Sequence, residues 1–310
     1  MGKKMINSSF ENTMLGMTWE EIESAAKDGA VVFLPVGVVE AHGPHLPLGT
    51  DIYIALHQAL EVKKYWDSKG MACVIAPPFY WGGTQAMTRQ FPGTFTASME
   101  NIVTAMTDIL QSLNRFGFTK TVLINAHGDG LQKNAMIKTI TECNAKLNMK
   151  TFWPVYEDDI AYEGFTGKED YLALIPPFAF ERMFQIEQFP RDEFDIHAGA
   201  FETAFMQEIM PESVRTEKIE GLEPTMLEGE QRRLWNEGEP ENKYLIPKGY
   251  GKEAMKLALD YVKSEPCGKA KLCWLSYEPE NVRAKALYAA FGFVENAEMC
   301  GDEIVAVKEI

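Results

Sequence analysis

A repeating order of buried strand, polar loop and helix constrains this 310-residue chain more than any other feature. The run AVVFLPVGVV (30–39) is apolar at nearly every position, as in a strand that is covered on both faces. Three further runs continue the pattern: ACVIAPPF (72–79), KTVLINAHGDG (120–130) and KTFWPVY (150–156). Sequences with helical spacing fill the intervals, at 18–29, 51–70, 98–117 and about 132–147. This alternation predicts βαβ units and a mostly parallel sheet that is covered by helices.

Composition and charge narrow the classes of function. The chain is 46% hydrophobic and 24% charged, which is typical of a globular protein. Its net charge of −15 argues against nucleic acid or an anionic membrane as the partner, because like charges repel. Five scattered cysteines without a CxxC pair predict reduced thiols. Because the chain has neither a signal-like segment nor an apolar run of 18 residues, we expect a cytoplasmic protein without a membrane span.

The loop EAHGPHLPLGTD (40–51), directly after the first strand, is rich in potential metal ligands. Glu40 and His42 alternate along an extended segment, and Asp51 follows at the start of the next helix. In a parallel α/β sheet, the working residues lie at the carboxyl ends of the strands, which is where this loop falls. The loop is therefore a candidate metal site.

Two further loops repeat the pairing of imidazole with carboxylate. NAHGDG supplies His127 and Asp129, and HAGAFETAF supplies His197 and Glu202. Mixed ligands of these types suit zinc, manganese or iron(II), and the absence of cysteine among them argues against a purely structural zinc site. Asp51 is the best candidate for a carboxylate that bridges two ions. A dinuclear site of this kind generates hydroxide near neutral pH and polarises a carbonyl group.

Four motifs resemble those of the creatininase family of cyclic amide hydrolases: LPVGVVEAHGPHLPLGTD, FPGT (91–94), NAHGDG and HAGAFET. They are spread over about residues 18–206. The resemblance implies a three-layer α/β/α fold with a mostly parallel central sheet. It also implies two divalent metal ions (Zn, Mn or Fe) per chain, a small cyclic substrate and a homo-oligomer, usually a hexamer.

The resemblance also implies roles for individual residues. Four positions match metal ligands, with the aspartate bridging: Glu40, His42, Asp51 and His127. For a fifth ligand, Asp129 stands where creatininase has a glutamate, whereas other members use the residue that corresponds to Glu202, and both stay open. His197 matches the proton-transfer histidine, and a catalytic role is predicted for it and for Glu202. Three residues are expected to face the substrate or support the ligands: His45, Gly128 and Thr94.

Several reactions are compatible with these motifs. The leading prediction is hydrolysis of a small cyclic amide by metal-bound hydroxide, with His197 protonating the leaving nitrogen. Because NAHGDG replaces the usual NGHGGN, and TQAMTRQFPGT lacks a histidine that often precedes FPGT, the substrate need not be creatinine. Relatives that cleave a carbon–carbon bond in cyclic keto-polyols supply a second hypothesis. The other two are an acetyltransferase that works through the tail and an assembly protein with a structural metal.

The chain divides into a metallohydrolase domain at 1–245 and a tail at 246–310, with an acidic, weakly patterned arm or linker at about 218–243. The tail resembles the C-terminal half of a GNAT acetyltransferase and predicts a small, partial α+β unit. In that family's pattern Gly249 and Gly251 would open a helix that holds a pyrophosphate, Asn281 would contact coenzyme A, and Tyr288 stands at the place of the general acid. Because the first half of that fold has no counterpart here, we expect a docked tail without catalysis.

Overall fold

The computed structural model has a five-stranded central sheet, and it describes residues 11–157, 160, 164–176, 197–219, 222, 225, 227, 229–245, 259, 263 and 271–310. The strands of this sheet are β1 (Val31–Val36), β2 (Cys73–Ile75), β3 (Lys120–Asn125), β4 (Lys150–Tyr156) and β5 (Leu172–Ile175). They lie in the order β2-β1-β3-β4-β5, and every neighbouring pair is parallel. The predicted, mostly parallel α/β fold is confirmed.

The four predicted helices are present with ends close to those expected: α1 (Trp19–Lys27), α2 (Thr50–Ser68), α3 (Met99–Arg115) and α4 (Gly130–Lys146). The described residues also form α5 (Ala200–Ile209), α6 (Gly229–Glu237) and α7 (Val282–Ala290). Thr18 and Glu21 form a capping box at α1, and Ser98 caps α3. None of the helices in the described part of the chain combines the length and apolar character needed to cross a bilayer.

Helices cover both faces of the sheet, and the alternating side chains of β1 show why. Val32, Leu34 and Val36 are fully buried in the cluster that includes α3 and α4. Phe33 points the other way and packs with the side chains of α2. Each such side chain stabilises the fold by roughly 1.5–3 kcal/mol when it leaves water. A strand buried on both faces is thereby held at the centre of the sheet, with its carboxyl end beside that of β3.

β1 ends three residues earlier than the apolar run predicts, and the reason lies in the entry of α2. A methyl group on Gly37 would come within 2.9 Å of the Asp51 Cβ and 3.0 Å of the Ile52 backbone nitrogen. The chain therefore leaves the sheet where α2 begins, and Val38 forms an antiparallel bridge with Trp81 instead. This close approach brings the first turn of α2 against the loop that follows β1.

Of the two alternatives for the acidic segment, an arm or a linker, its described residues fit a packed arm. It contains α6 and a 3-10 turn at Pro240–Leu245. Trp235 of α6 is 2% exposed and packs with Ala86, Met87 and Leu227. With so few apolar residues among many charged ones, the segment shows little periodicity, although Leu227 and Trp235 are buried.

The C-terminal segment forms a separate three-stranded antiparallel sheet. Its strands, β6 (Leu272–Tyr277), β7 (Val294–Cys300) and β8 (Glu303–Glu309), lie in the order β6-β8-β7. Asn281 caps α7 by accepting a hydrogen bond from the Ala284 N–H, and the Tyr288 ring packs with Tyr277 in a small apolar cluster. Gly249 and Gly251 lie outside the described residues. The small α+β unit is confirmed by this sheet and helix.

Candidate metal centre

Four of the predicted ligands meet in the interior at the carboxyl end of the sheet. Glu40 and His42 lie on the loop after β1, Asp51 lies in the first turn of α2, and His127 lies on the loop after β3. All four are buried, the first three with 1% of their surface exposed. The pairing of β1 with β3 brings the two loops side by side, and the tight packing at Gly37 brings in the helix.

The ligand atoms form three overlapping groups, and two of them share one carboxylate. In the group of Glu40, Asp51 and His127, Oδ2 of Asp51 lies 3.0 Å and Oε2 of Glu40 lies 3.1 Å from Nδ1 of His127. In the group of His42, Asp51 and Glu202, Oδ1 of Asp51 lies 2.9 Å and Oε1 of Glu202 lies 3.7 Å from Nε2 of His42. The third group consists of Glu40, His42 and His197, and within each group the ligand atoms lie within 4.8 Å of one another. Asp51 thus turns one oxygen toward each of the two groups that share it.

Buried polar atoms without hydrogen bonds make these groups suited to a cation. Oε2 of Glu40 and Oδ2 of Asp51 have no well-directed hydrogen bond within the described residues. Leaving such atoms unsatisfied costs about 1–3 kcal/mol each, whereas a bound cation would satisfy both. Nδ1 of His42 donates to the Glu40 carbonyl oxygen at 3.0 Å, which leaves Nε2 as the ligand atom. Histidines that bind metals in proteins are oriented in this way.

Charges within the site favour a cation as well. Burial raises the pKa of each carboxyl group, but the neighbouring imidazoles outweigh burial and lower the pKa of Glu40, Asp51 and Glu202 to about 2. For His42 and His127, burial favours the neutral ring, but the adjoining carboxylates outweigh it and raise the pKa well above its ordinary value. Three ionised carboxylates in a buried pocket need compensating positive charge, which protons or divalent cations can provide.

The two residues that were open as a fifth ligand differ in their surroundings. Asp129 caps α4, where its Oδ1 accepts a hydrogen bond from Leu131 at 2.7 Å. Its Oδ2 accepts two more from the backbone of Gln85 and Ala86, each at 2.9 Å. Among the described residues Glu202 belongs to a ligand group and Asp129 belongs to none. The carboxylate of Asp129 is already occupied by backbone donors, whereas that of Glu202 reaches the cluster.

His197 lies against the cluster, with its ring centroid 4.3 Å from that of His42. Its Nε2 lies 2.7 Å from the carbonyl oxygen of Ala41. Because a carbonyl can only accept, Nε2 carries the hydrogen, and Nδ1 is the nitrogen that can exchange a proton. The next residue, Ala198, has a positive φ of 53° and donates its N–H to Oε2 of Glu202 at 2.6 Å. This uncommon backbone conformation joins His197 to the ligand that follows it.

The three residues predicted to face the substrate or support the ligands occupy different places. His45 is buried, with Nε2 2.7 Å from the hydroxyl of Thr203, and burial together with the nearby His42 lowers its pKa to about 4. The ring of His45 is therefore neutral at neutral pH. Thr94 accepts a hydrogen bond from the Ala41 N–H at 2.9 Å, so it supports the loop that carries the ligands. Gly128 is exposed beside His127.

Two threonines that sequence reasoning missed also contact the site. Thr84 donates a hydrogen bond to Oε1 of Glu40 at 3.3 Å, and Thr88 donates to the same oxygen. Both threonines are buried. Their spacing of four residues, just before FPGT, is the one signal in the sequence that could have paired them.

Comparison with known proteins identifies the family of this chain. The family model described as creatinine amidohydrolase (creatininase) matches residues 16–256, and that of the GNAT acetyltransferase family matches residues 247–293. A 3-dehydro-scyllo-inosose hydrolase of Thermotoga maritima is 24% identical over 214 residues, which is 67% of this chain. The match spans 59% of the length of that relative.

Two creatininases are similar over a comparable length. The creatinine amidohydrolase of Pseudomonas putida is 23% identical over 210 residues, which is 66% of this chain and 74% of the relative. A solved structure of Mn creatininase has a TM-score of 0.49 and 21% identity, and the match covers 66% of this chain and 76% of that one. Since the family model covers more than half of the sequence, the chain belongs to the creatininase family, a family of metal-dependent amidohydrolases.

Proposed function

We propose that this chain binds two divalent metal ions, zinc, manganese or iron, and hydrolyses an amide bond in a small cyclic molecule. One ion would lie between Glu40, Asp51 and His127, and the other between His42, Asp51 and Glu202. The observation that carries the proposal is the carboxylate of Asp51, which turns Oδ1 toward one group and Oδ2 toward the other. A carboxylate placed in this way is suited to bridge two ions.

The residues of the chain divide the chemistry between them. Divalent ions bound in these groups would supply Lewis-acid polarisation of a carbonyl and an activated water nucleophile. Nδ1 of His197 would give a proton to the leaving nitrogen, while its Nε2 stays fixed on the Ala41 carbonyl oxygen. The Ala198 N–H holds the carboxylate of Glu202 beside this histidine. Proton transfer and metal binding are thus assigned to side chains that are in contact but distinct.

The leading proposal and its alternative differ in the bond that is cleaved. The family description and the relative from Pseudomonas putida support an amide as the substrate. The relative from Thermotoga maritima is named for an inosose, and its similarity supports a second candidate, hydrolytic cleavage of a carbon–carbon bond in a cyclic keto-polyol. Both reactions act on a polarised carbonyl, so the metal centre is compatible with either one.

Metal content and product analysis test the proposal together. The chain would be stripped with a chelator, reloaded with manganese or zinc, and analysed for ions per chain. The same samples would then be assayed with creatinine, other small lactams and an inosose. We expect two ions per chain and amide hydrolysis that returns only on reloading. An inosose product without amide hydrolysis would favour the alternative, and no bound metal after reloading would overturn the proposal.

We further infer that residues 1–245 carry the activity and that the tail at 246–310 is docked and non-catalytic. The two family models overlap at residues 247–256, close to this division. The coenzyme A contacts expected of Gly249, Gly251, Asn281 and Tyr288 stay predictions, which calorimetry with acetyl-CoA tests directly. A homo-oligomer, and in particular a hexamer, is likewise a prediction that light scattering can check.

A further inference from the structure

We propose that Asp129 is a positioning residue, which holds Glu40 in place for metal binding by way of the turn formed by residues 84–88. This inference rests on the proposed function, because it concerns the group of Glu40, Asp51 and His127. It gives a role to a carboxylate that lies near the site without joining any of the ligand groups among the described residues. It also explains why Glu40 offers one oxygen and not two.

The first step of the argument is the attachment of Asp129 to the turn. Oδ2 accepts hydrogen bonds from the N–H groups of Gln85 and Ala86, and the Thr84 hydroxyl lies 3.3 Å from the same oxygen. Oδ1 meanwhile caps α4 through Leu131. Hydrogen bonds to an ionised carboxylate are among the stronger ones in proteins. Asp129 therefore fixes the start of the turn relative to the helix that follows His127.

The second step leads from the turn to the metal ligand. The hydroxyl groups of Thr84 and Thr88 both lie against Oε1 of Glu40. Since a threonine hydroxyl has one hydrogen, Thr84 shares it between Glu40 and Asp129, whereas Thr88 gives its hydrogen to Glu40. Oε1 is thereby occupied, and Oε2, 3.1 Å from Nδ1 of His127, is left for a cation. The turn thus orients Glu40 as a ligand through one oxygen.

Contacts with the acidic arm also hold the turn in place. The side chains of Arg89 and Gln90 both donate to the Gly238 carbonyl oxygen, at 3.0 and 2.9 Å. Trp235 packs on Ala86 from the same arm. Asp129 and the arm together hold the turn against Glu40, so a change at Asp129 removes one of its two supports. Loss of outer contacts of this kind lowers metal affinity by about 10–100-fold in proteins.

The test compares Asp129→Ser, Thr88→Val, Thr88→Ser and the double variant Asp129→Ser with Thr88→Val. Serine at 129 can still cap α4 but cannot hold the turn. The full chain, stripped of metal, would be titrated with manganese by calorimetry, with Asp67→Ser on the exposed side of α2 as the matched control. We expect every variant to bind as many ions as the wild type. The affinity for one ion should fall about 10–100-fold in Asp129→Ser and Thr88→Val but not in Thr88→Ser.

The double variant decides between positioning and direct binding. If Asp129 acts through the turn, the double variant should bind more weakly than the wild type by a factor much smaller than the product of the two single effects. A saturated Asp129→Ser protein that holds one ion fewer than the wild type would make Asp129 a ligand and overturn the inference. Multiplying effects with an intact ion count would overturn it as well. A wild type that binds no manganese would instead overturn the proposed function on which the inference rests.

Discussion

In the five-stranded sheet Val32, Leu34 and Val36 are fully buried, whereas every residue of β7 in the three-stranded sheet is exposed. The first sheet has helices packed on both faces and carries buried carboxylates at its carboxyl end. The second leaves large apolar side chains in water, with 61% of Trp274 exposed. The two sheets of this chain therefore differ in how deeply their side chains are buried.

This difference teaches where a buried polar site can exist. An ionised carboxylate without a partner costs many kcal/mol in an apolar interior, so only a large, layered core can hold several of them in fixed positions. Around the parallel sheet that core is present, and it places Glu40, Asp51 and Glu202 beside imidazoles. Among the described residues, the buried cluster of the C-terminal unit is small, and it includes Tyr277, Phe293 and Ala306. We therefore expect the chemistry at the carboxyl end of the larger sheet.

The largest effect is expected from Asp51→Asn, which alters the side chain that two of the ligand groups share. An amide cannot offer two anionic oxygens, so both ions should be lost, together with several kcal/mol of transition-state stabilisation, or about 10³-fold in kcat/KM. Metal analysis and kinetics would measure both losses. Asp67→Asn is the matched control, because it lies on the same helix with its side chain half exposed. An Asp51→Asn protein that keeps two ions would break the assignment of the chemistry to this centre.

A smaller effect, confined to the rate, is expected from His197→Gln. The amide nitrogen of Gln can take the place of Nε2 and still donate to the Ala41 carbonyl oxygen, but it cannot transfer a proton. Both ions should stay bound while kcat falls by about 10²–10⁴-fold. His57→Gln provides the comparison, since His57 packs against the ring of Phe205 and belongs to none of the ligand groups of the described residues. An unchanged rate in His197→Gln would assign proton transfer to another residue.

Much of the fold could be predicted because buried strands and amphipathic helices leave strong patterns. β1, β3 and β4 and the first four helices follow from these patterns. β5 (Leu172–Ile175) was missed, because four residues next to a proline do not establish a period of two. The end of β1 was also misjudged, since the close approach at Gly37 depends on where α2 returns in space.

In the site, the sequence indicated which residue types carry the chemistry but not how their atoms are used. Asp129 and Glu202 are both carboxylic acids in the sequence, and the fold distinguishes them. Three backbone N–H groups occupy the carboxylate of Asp129, whereas Glu202 accepts one on Oε2 and turns Oε1 toward His42. Glu202 reaches His42 across 160 positions of the chain, a distance over which no local pattern acts. Thr88 was missed for a similar reason, because a hydroxyl group has no motif until the fold brings it to a carboxylate.

Trp235→Ala tests whether the arm belongs to the well-packed part of the molecule. With 2% of Trp235 exposed among Ala86, Met87 and Leu227, its truncation should lower the free energy of unfolding by about 3–5 kcal/mol. Urea denaturation measures the loss, and Trp235→Phe, which keeps most of the ring volume, should lose less. The manganese affinity should fall as well, because the turn at Ala86 loses its support. A loss below about 1 kcal/mol would mean that the segment is a loosely attached linker rather than a packed arm.

Trp274→Ala should give the smallest effect, although it is the same substitution in the other sheet. Trp274 stands on β6 opposite Val307 with most of its side chain in water, so truncation should change the free energy of unfolding by no more than about 0.5 kcal/mol. Ion content and kcat/KM should equal those of the wild type. Urea denaturation alongside Trp235→Ala makes the contrast direct. A loss of several kcal/mol would mean that this sheet face is covered in the assembled protein, and a change in ion content would couple the tail to the metal centre.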